Sequence, residues 1–420
     1  MRLTRSGAIV SCCAALVLAL PACGDDDDGG GGGSSAEGDT LDIYSSMPLQ
    51  GAQRANTTDL VRGAQLALKQ HGGKAGGFTI DFTSLDDSTA QAGAWTPEQT
   101  SANARKVAQD DAAVAYIGEF NSGASAISIP ILNEVPIPQV SPANTAVGLT
   151  SDDPGADEGE PEKYYPSGQR HYLRIVPKDT IQGAALAAAM KKDGCQNAYI
   201  LNDKEVYGAG LARNIEMSAK EQGLEILANE GIDPKAPNFR SLASKMNSAG
   251  ADCFVFGGIT ANGAVQLYKD VLAANPGIKL YGPDGVAETG FTDPGEGGIP
   301  ANVQKNVKLT VATLDPSEYP PDGQKFFEDY EKEYGESNPN PYAVYGYEAM
   351  DLILDTCQRL GSDCSDRQKL IDALFETKGR KSVLGTYDID ENGDTTLTDY
   401  GVYRVKDGEL VFDETIKASE

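Results

Sequence analysis

From Leu41 onward, apolar and polar positions follow a repeating plan. Short apolar runs of strand length read LDIYSS, FTIDFTSL, AVAYIG and IPQVS. Between them lie stretches of helical pattern: DLVRGAQLALKQ, closed by Gly72-Gly73, then PEQTSANARKVAQ, then SGASAISIPILNE. Strands joined through helices run parallel, so the pattern predicts a parallel sheet covered by helices. Asp152 to Gln169 is acidic and contains Pro and Gly, which predicts a surface insertion.

A second series of the same plan starts near Tyr172. Its strands are NAYILND, LEILANEGI, CFVFGGI and KLYGPDG; its helices are IQGAALAAAMKK, GAGLARNIEMSAKEQ, NFRSLASKMNS and ANGAVQLYKDVLAA. After it come a strand, LTVATL, three helical stretches (GQKFFEDYEKEY, YAVYGYEAMDLILDTCQRL and SDRQKLIDALFE) and a hairpin, SVLGTYDIDENGDTTLTDYGVYRV. This remainder is too small for a third domain and is expected to cover the first two.

Length and charge narrow the class. The chain has 420 residues, comfortable for two domains, and a hydrophobic fraction of 40% that supports packed cores. The formal charge of -27 opposes binding to phosphate backbones and anionic membranes, so no nucleic-acid partner is expected. The first residues, MRLTRSGAIVSCCAALVLALPAC, join a basic start to an apolar run too short for a membrane span. Loss of residues 1–22 would remove Arg2 and Arg5 and leave the rest more acidic still. Leu20-Pro21-Ala22-Cys23 resembles a bacterial lipobox, in which the Cys becomes the lipid-modified first residue; an ordinary secretory leader cut near Ala22 is the alternative. Residues 23–40 are rich in Asp and Gly and read as a flexible tether. The expected molecule is held to the outer face of a membrane by a lipid alone.

Seven Cys are present. Beyond Cys12, Cys13 and Cys23, an even four remain in an exported chain. Cys357 and Cys364 flank a helix end and a short turn. Cys195 and Cys253 each precede an apolar strand, and parallel neighbours would bring their starts together. Two disulfides are expected, 195–253 and 357–364, with four buried thiols as the alternative.

The candidate chemistry centres on IGEFNSGAS, where an apolar strand runs through a polar loop into Ser122-Gly123 at a helix start. The shape suits a phosphate cradle, a nucleophile elbow or a ligand seat. It lacks the Lys and Gly spacing of a phosphate loop. His71 and His171 are the two histidines, and neither has a nearby Ser or Cys in an elbow. An enzyme is not expected, nor a cofactor. Asp388 to Asp399 approaches an EF-hand loop, but strands flank it and Asn392-Gly393 signals a hairpin, so no metal is expected.

Four segments in this order, GEFNSGAS, IPQVSPANTAVGLT, NDKEVYGAGLARN and LYGPDGV, resemble the substrate-binding proteins of branched-chain amino acid ABC importers, with the type I periplasmic-binding-protein fold. The likeness runs from Leu41 to the C-terminus. It implies an α/β molecule of two doubly wound parallel-sheet lobes, joined by three hinge crossings near 174–177, 310–315 and 397–400. The N-terminal lobe would take 41–174 and 315–397, and the C-terminal lobe 175–314 and 398–420. A small amino-acid-like ligand would sit between them, and a monomer would deliver it to ABC permease subunits. A lipoprotein that senses the ligand and signals to a membrane partner is the alternative.

The resemblance assigns roles residue by residue. Ser122 would bind the ligand's α-carboxylate at a helix N-terminus, although a plain capping serine looks the same. Ala143 would act through its backbone, and Thr145 through its hydroxyl and backbone. Tyr207 would close over the ligand, or pack as a helix-start aromatic. Asp284 would pair with the α-ammonium, although Pro-Asp-Gly is also an ordinary turn. Departures from relatives at Ile259 and Asn56 would reshape the side-chain pocket. Tyr345 or Tyr347 would close that pocket, or pack the core of its helix.

Overall fold

A computed structural model describes residues 39–418 of the chain. The leader, Cys23 and most of the tether lie outside the described residues. The first sheet has the strand order Lys74–Ala75, Phe78–Asp86, Thr40–Met47, Ala113–Ile117, Gln139–Ser141, Tyr172–Arg174. All its pairings are parallel except the short first one. Its centre is AVAYI, buried at every position because helices cover both faces.

The second sheet runs Glu225–Gly231, Asn197–Asn202, Cys253–Gly257, Lys279–Gly282, Val307–Val311, Asp399–Lys406, Glu409–Lys417. Its first five strands are parallel and the last two antiparallel. The backbone passes between the sheets three times: after Arg174, between Val311 and Pro321, and between Tyr387 and Asp399. The helices Pro321–Tyr334, Ala343–Leu360 and Arg367–Phe375 return to the first sheet's side, with Ala343–Leu360 laid along helix Arg54–Gln70.

Two expectations are corrected. The stretch read as one hairpin is divided. Arg380–Ser382 pairs with Gly385–Tyr387, a loop follows, and the long hairpin joins Asp399–Lys406 to Glu409–Lys417 through Asp407-Gly408. The strand ELVFDETIK escaped notice because charges interrupt it, as suits a half-exposed sheet edge. The insertion 152–169 is not all surface. Glu160, Tyr164 and Tyr165 are buried, and the Tyr165 hydroxyl donates to the Leu149 carbonyl at 2.7 Å. Its other end reaches the second lobe, where Arg213 donates to the Gly155 carbonyl at 2.6 Å.

Arg174 pins the first crossing. It is fully buried, and its Nε donates to Asp394 Oδ1 at 2.6 Å. Its Nη1 donates to the carbonyls of Ala146 at 2.8 Å and Asn144 at 3.2 Å, and its Nη2 to the Thr150 hydroxyl. The near-EF-hand loop thus lends Asp394 to an arginine at the hinge. The structure also joins Cys195 to Cys253, with Cα atoms 5.9 Å apart at the starts of neighbouring parallel strands, and Cys357 to Cys364 at 4.8 Å.

Candidate functional site

The carboxyl ends of the parallel strands in both sheets face one cavity, where open α/β sheets place their ligands. On the first lobe, strand Ala113–Ile117 stops at Gly118, and Asn121 holds an extended backbone before helix Ser122–Asn133 begins. First-turn N–H groups of a helix have no partner within it. Ser122 and Gly123, in that first turn, line the cavity. The neighbouring loop is braced to this start. The Ala146 N–H donates to the Ser122 hydroxyl at 3.3 Å, and Asn144 Nδ2 to the Phe120 carbonyl at 2.9 Å. Ala143 and Thr145 line the cavity from that loop, and Thr145 is buried.

On the second lobe, Pro283 ends strand Lys279–Gly282 and delivers Asp284 into the cavity. Two hydroxyls converge on its carboxylate: Tyr207 donates to Oδ1 at 2.6 Å, and Tyr342 donates to Oδ2. Tyr207 stands in the first turn of helix Val206–Glu221, whereas Tyr342 belongs to the segment before helix Ala343–Leu360. Gly285 permits this approach, because a Cβ there would lie 2.8 Å from the Tyr207 ring and 2.6 Å from the Gly258 carbonyl. Burial raises the Asp284 pKa, against the opposing pull of its hydroxyl donors. Behind it, burial and the Asp284 charge hold the Asp179 carboxyl well above the usual range. The Thr145 side chain opposes that rise by hydrogen bonding, and the Asp179 N–H donates to the Thr145 carbonyl at 2.8 Å. Burial likewise pushes Glu288 up to about 8. No Lys, Arg or His side chain lines the cavity among the described residues.

The cavity brings together Ser122, Ala143, Thr145, Tyr207, Ile259 and Asp284. Two expected residues fall elsewhere. Asn56 is buried one turn inside its helix, and its Nδ2 donates to the Ala287 carbonyl at 3.4 Å; Gln53, just before that helix, lines the cavity instead. Tyr345 is buried in the core and donates to the Ala312 carbonyl, while Tyr342, one turn earlier, takes the cavity wall. The first offset comes from reading helix Arg54–Gln70 as beginning only at Asp59, and the second from the one-turn spacing of Tyr342 and Tyr345 at a helix start. Trp95, Phe120, Asn121, Gly123, Glu205, Gly285 and Tyr342 also line the cavity and were missed. Trp95 is the chain's one tryptophan, in the short strand Ala94–Trp95 paired with Ser88–Thr89, and that rarity was an unused signal.

Beneath the Ser122 loop lies a buried acid pair. Glu119 accepts from the Tyr116 hydroxyl at 2.6 Å and shares a side-chain hydrogen bond with the Asp87 carboxyl. The Asp87 carbonyl accepts from the Thr96 N–H at 2.9 Å, which links the pair to the Trp95 loop. Burial lifts Glu119 to about 7; burial and the Glu119 charge lift Asp87 well above its usual range. Both carboxyls therefore hold protons more tightly folded than unfolded. Their contribution to stability is full below the unfolded pKa, about 4, and is lost as pH rises through about 7. Thermal unfolding should show a melting temperature that falls between pH 6 and pH 8.5, and Glu119→Gln should flatten part of that fall. An unchanged slope in the variant would remove the pair as its cause.

The sequence pattern of the periplasmic binding protein family matches residues 45–409. The chain belongs to that family. Among curated relatives of this family member, Leu/Ile/Val-binding protein homolog 1 of Brucella suis is 26% identical over 382 residues, covering 89% of this chain and 92% of that protein. The leucine-, isoleucine-, valine-, threonine- and alanine-binding protein of Pseudomonas aeruginosa is 25% identical over 382 residues, covering 88% and 91%. A leucine binding protein from Thermotoga maritima superposes with a TM-score of 0.76 at 23% identity, over 90% of this chain and 99% of that one. A solute binding protein from R. palustris, solved with benzoate, gives 0.72 at 22% identity, over 90% and 97%. The fold is that of type I periplasmic binding proteins, with the family's cleft between two α/β lobes.

Proposed function

We propose that this protein is the extracytoplasmic, lipid-anchored receptor of an ABC importer and captures a small amino acid by closing its lobes. The observation that carries the reading is the pairing of opposite ends in one cavity. Ser122, Gly123 and Thr145 offer N–H and hydroxyl groups at one end, and Asp284 offers a buried carboxylate at the other. A zwitterion matches both ends: the helix start receives its carboxylate, and Asp284 its ammonium. The names of the curated relatives point the same way. The aromatic wall of Trp95, Phe120, Tyr207 and Tyr342 would also suit a benzoate, the ligand of one structural neighbour. Asp284 and Glu205, with no basic side chain beside them, disfavour that anion.

Closure follows from contacts that each lobe supplies. Tyr342 and Asn56 come from the first lobe's side and bond Asp284 and Ala287 of the second. A ligand touching both walls stabilises the closed form by its extra contacts there, and the permease would read that form. Permease and ATPase genes beside this one would favour import over sensing. Native mass spectrometry of the purified protein tests the ligand class. Retention of an amino acid is expected, and a retained aromatic monocarboxylate would count against the reading.

Export would oxidise both cysteine pairs. Alkylation under denaturing conditions should modify none of Cys195, Cys253, Cys357 and Cys364 before reduction, and all of them after it. Loss of the 195–253 bridge, which ties two central strands, should cost about 2–4 kcal/mol of stability. Alkylation without reductant would refute the pairing.

A further inference from the structure

The cavity holds a carboxylate that the zwitterion clamp leaves unused. Glu205 stands directly before helix Val206–Glu221 and lines the cavity from the second lobe. Its Oε2 lies 3.5 Å from the point where a side chain on Gly123 would begin, and the Trp95 ring lies 2.8 Å from the same point. The two lobes therefore bring Glu205 and Trp95 to one corner. Gln53 and Asn121 line the same cavity, and the Oε1 of Gln53 and the Oδ1 of Asn121 are buried without partners. No ion pair engages Glu205 among the described residues. The neighbouring Asp203 is already satisfied, by the Ile259 N–H at 3.1 Å and Asn262 Nδ2 at 2.8 Å.

Charge balance decides what such a corner accepts. A neutral amino acid brings one positive and one negative group. Its ammonium meets Asp284, and its carboxylate meets the helix start. Glu205 would then be shut away from water with no counter-charge beside it, which is unfavourable for a buried carboxylate. A second cation on the ligand removes that cost. A carboxylate beside an indole ring and amide oxygens is chemistry that holds an ammonium or guanidinium group. Resting on the amino-acid reading above, we propose that Glu205 is a specificity-determining residue and that the ligand is an amino acid whose side chain ends in a cation. The side-chain cation lies between Glu205 and the Trp95 ring, with the amide oxygens of Gln53 and Asn121 as further acceptors.

Calorimetry with matched pairs tests this. Ornithine against norvaline, and 2,4-diaminobutyrate against 2-aminobutyrate, differ in the terminal cation while keeping the α-carbon groups. The wild-type protein should bind the cationic member of at least one pair about tenfold more tightly or better. Glu205→Gln should cut that preference to about threefold or less, with the neutral member bound as well as before or better. Circular dichroism and melting temperature establish that the variant is folded. Glu205 is half-exposed at a helix start, so the change leaves the core untouched. Tighter binding of the neutral members, or an unchanged preference in Glu205→Gln, overturns the assignment while the amino-acid reading stands. Failure of every amino acid to bind the folded protein overturns both.

Discussion

Asp284→Asn is expected to abolish amino-acid binding while leaving the fold intact. Removing one partner of a buried, hydrogen-bonded charge pair costs about 2–5 kcal/mol, or about 30-fold to several-thousand-fold in affinity. Asparagine keeps the volume and one oxygen for the hydroxyls of Tyr207 and Tyr342, so the aromatic wall should stay in place. It removes the charge that the ligand's ammonium needs. The variant also relieves the empty protein of a buried carboxylate whose pKa is raised by its own burial. Its melting temperature should therefore match or exceed that of the wild type at pH 8. Lost binding with retained stability separates a ligand contact from a structural one. Affinity within about threefold of wild type would place the ammonium elsewhere.

The second large effect falls at the hinge. Arg174→Met should lower the unfolding free energy by about 3 kcal/mol, the lower end of the range for breaking a buried ion pair. The lower end applies because Lys178 Nζ lies 3.8 Å from Asp394 Oδ2 and keeps part of its compensation. The change also strips donors from the carbonyls of Ala146 and Asn144, in the loop that carries Thr145. Weaker ligand binding should accompany the lost stability. The double variant Arg174→Met/Asp394→Leu should recover part of the stability, since no stranded carboxylate remains. Urea denaturation of the three proteins checks this. A double variant less stable than the single one would mean that packing around Asp394, and not its charge, is what counts.

The fold class was legible because alternating strands and helices leave a strong period. The central strand Ala113–Ile117 is apolar throughout and buried throughout. The edge strand Glu409–Lys417 was not legible, since a half-exposed strand broken by charges looks like loop. In the cavity, the residues found in sequence sit at strand ends or helix starts, most of them close to Pro or Gly, where the punctuation marks them. Those missed lie on loops or helix starts whose direction depends on tertiary packing. Tyr342 and Tyr345 differ by one helical turn, and the sequence around them does not say which faces the cleft. Glu205 lies two residues before Tyr207, inside a quoted motif, yet its place opposite Trp95 depends on how the lobes meet.

On the reading proposed above, one cavity holds both ends of an amino acid. Titration calorimetry addresses it with neutral and cationic α-amino acids, the same compounds N-acetylated or lacking the carboxylate, and benzoate. At least one free amino acid should bind, while its N-acetyl and decarboxylated forms bind far more weakly and benzoate fails. Binding of benzoate by a folded protein that ignores every amino acid would contradict it.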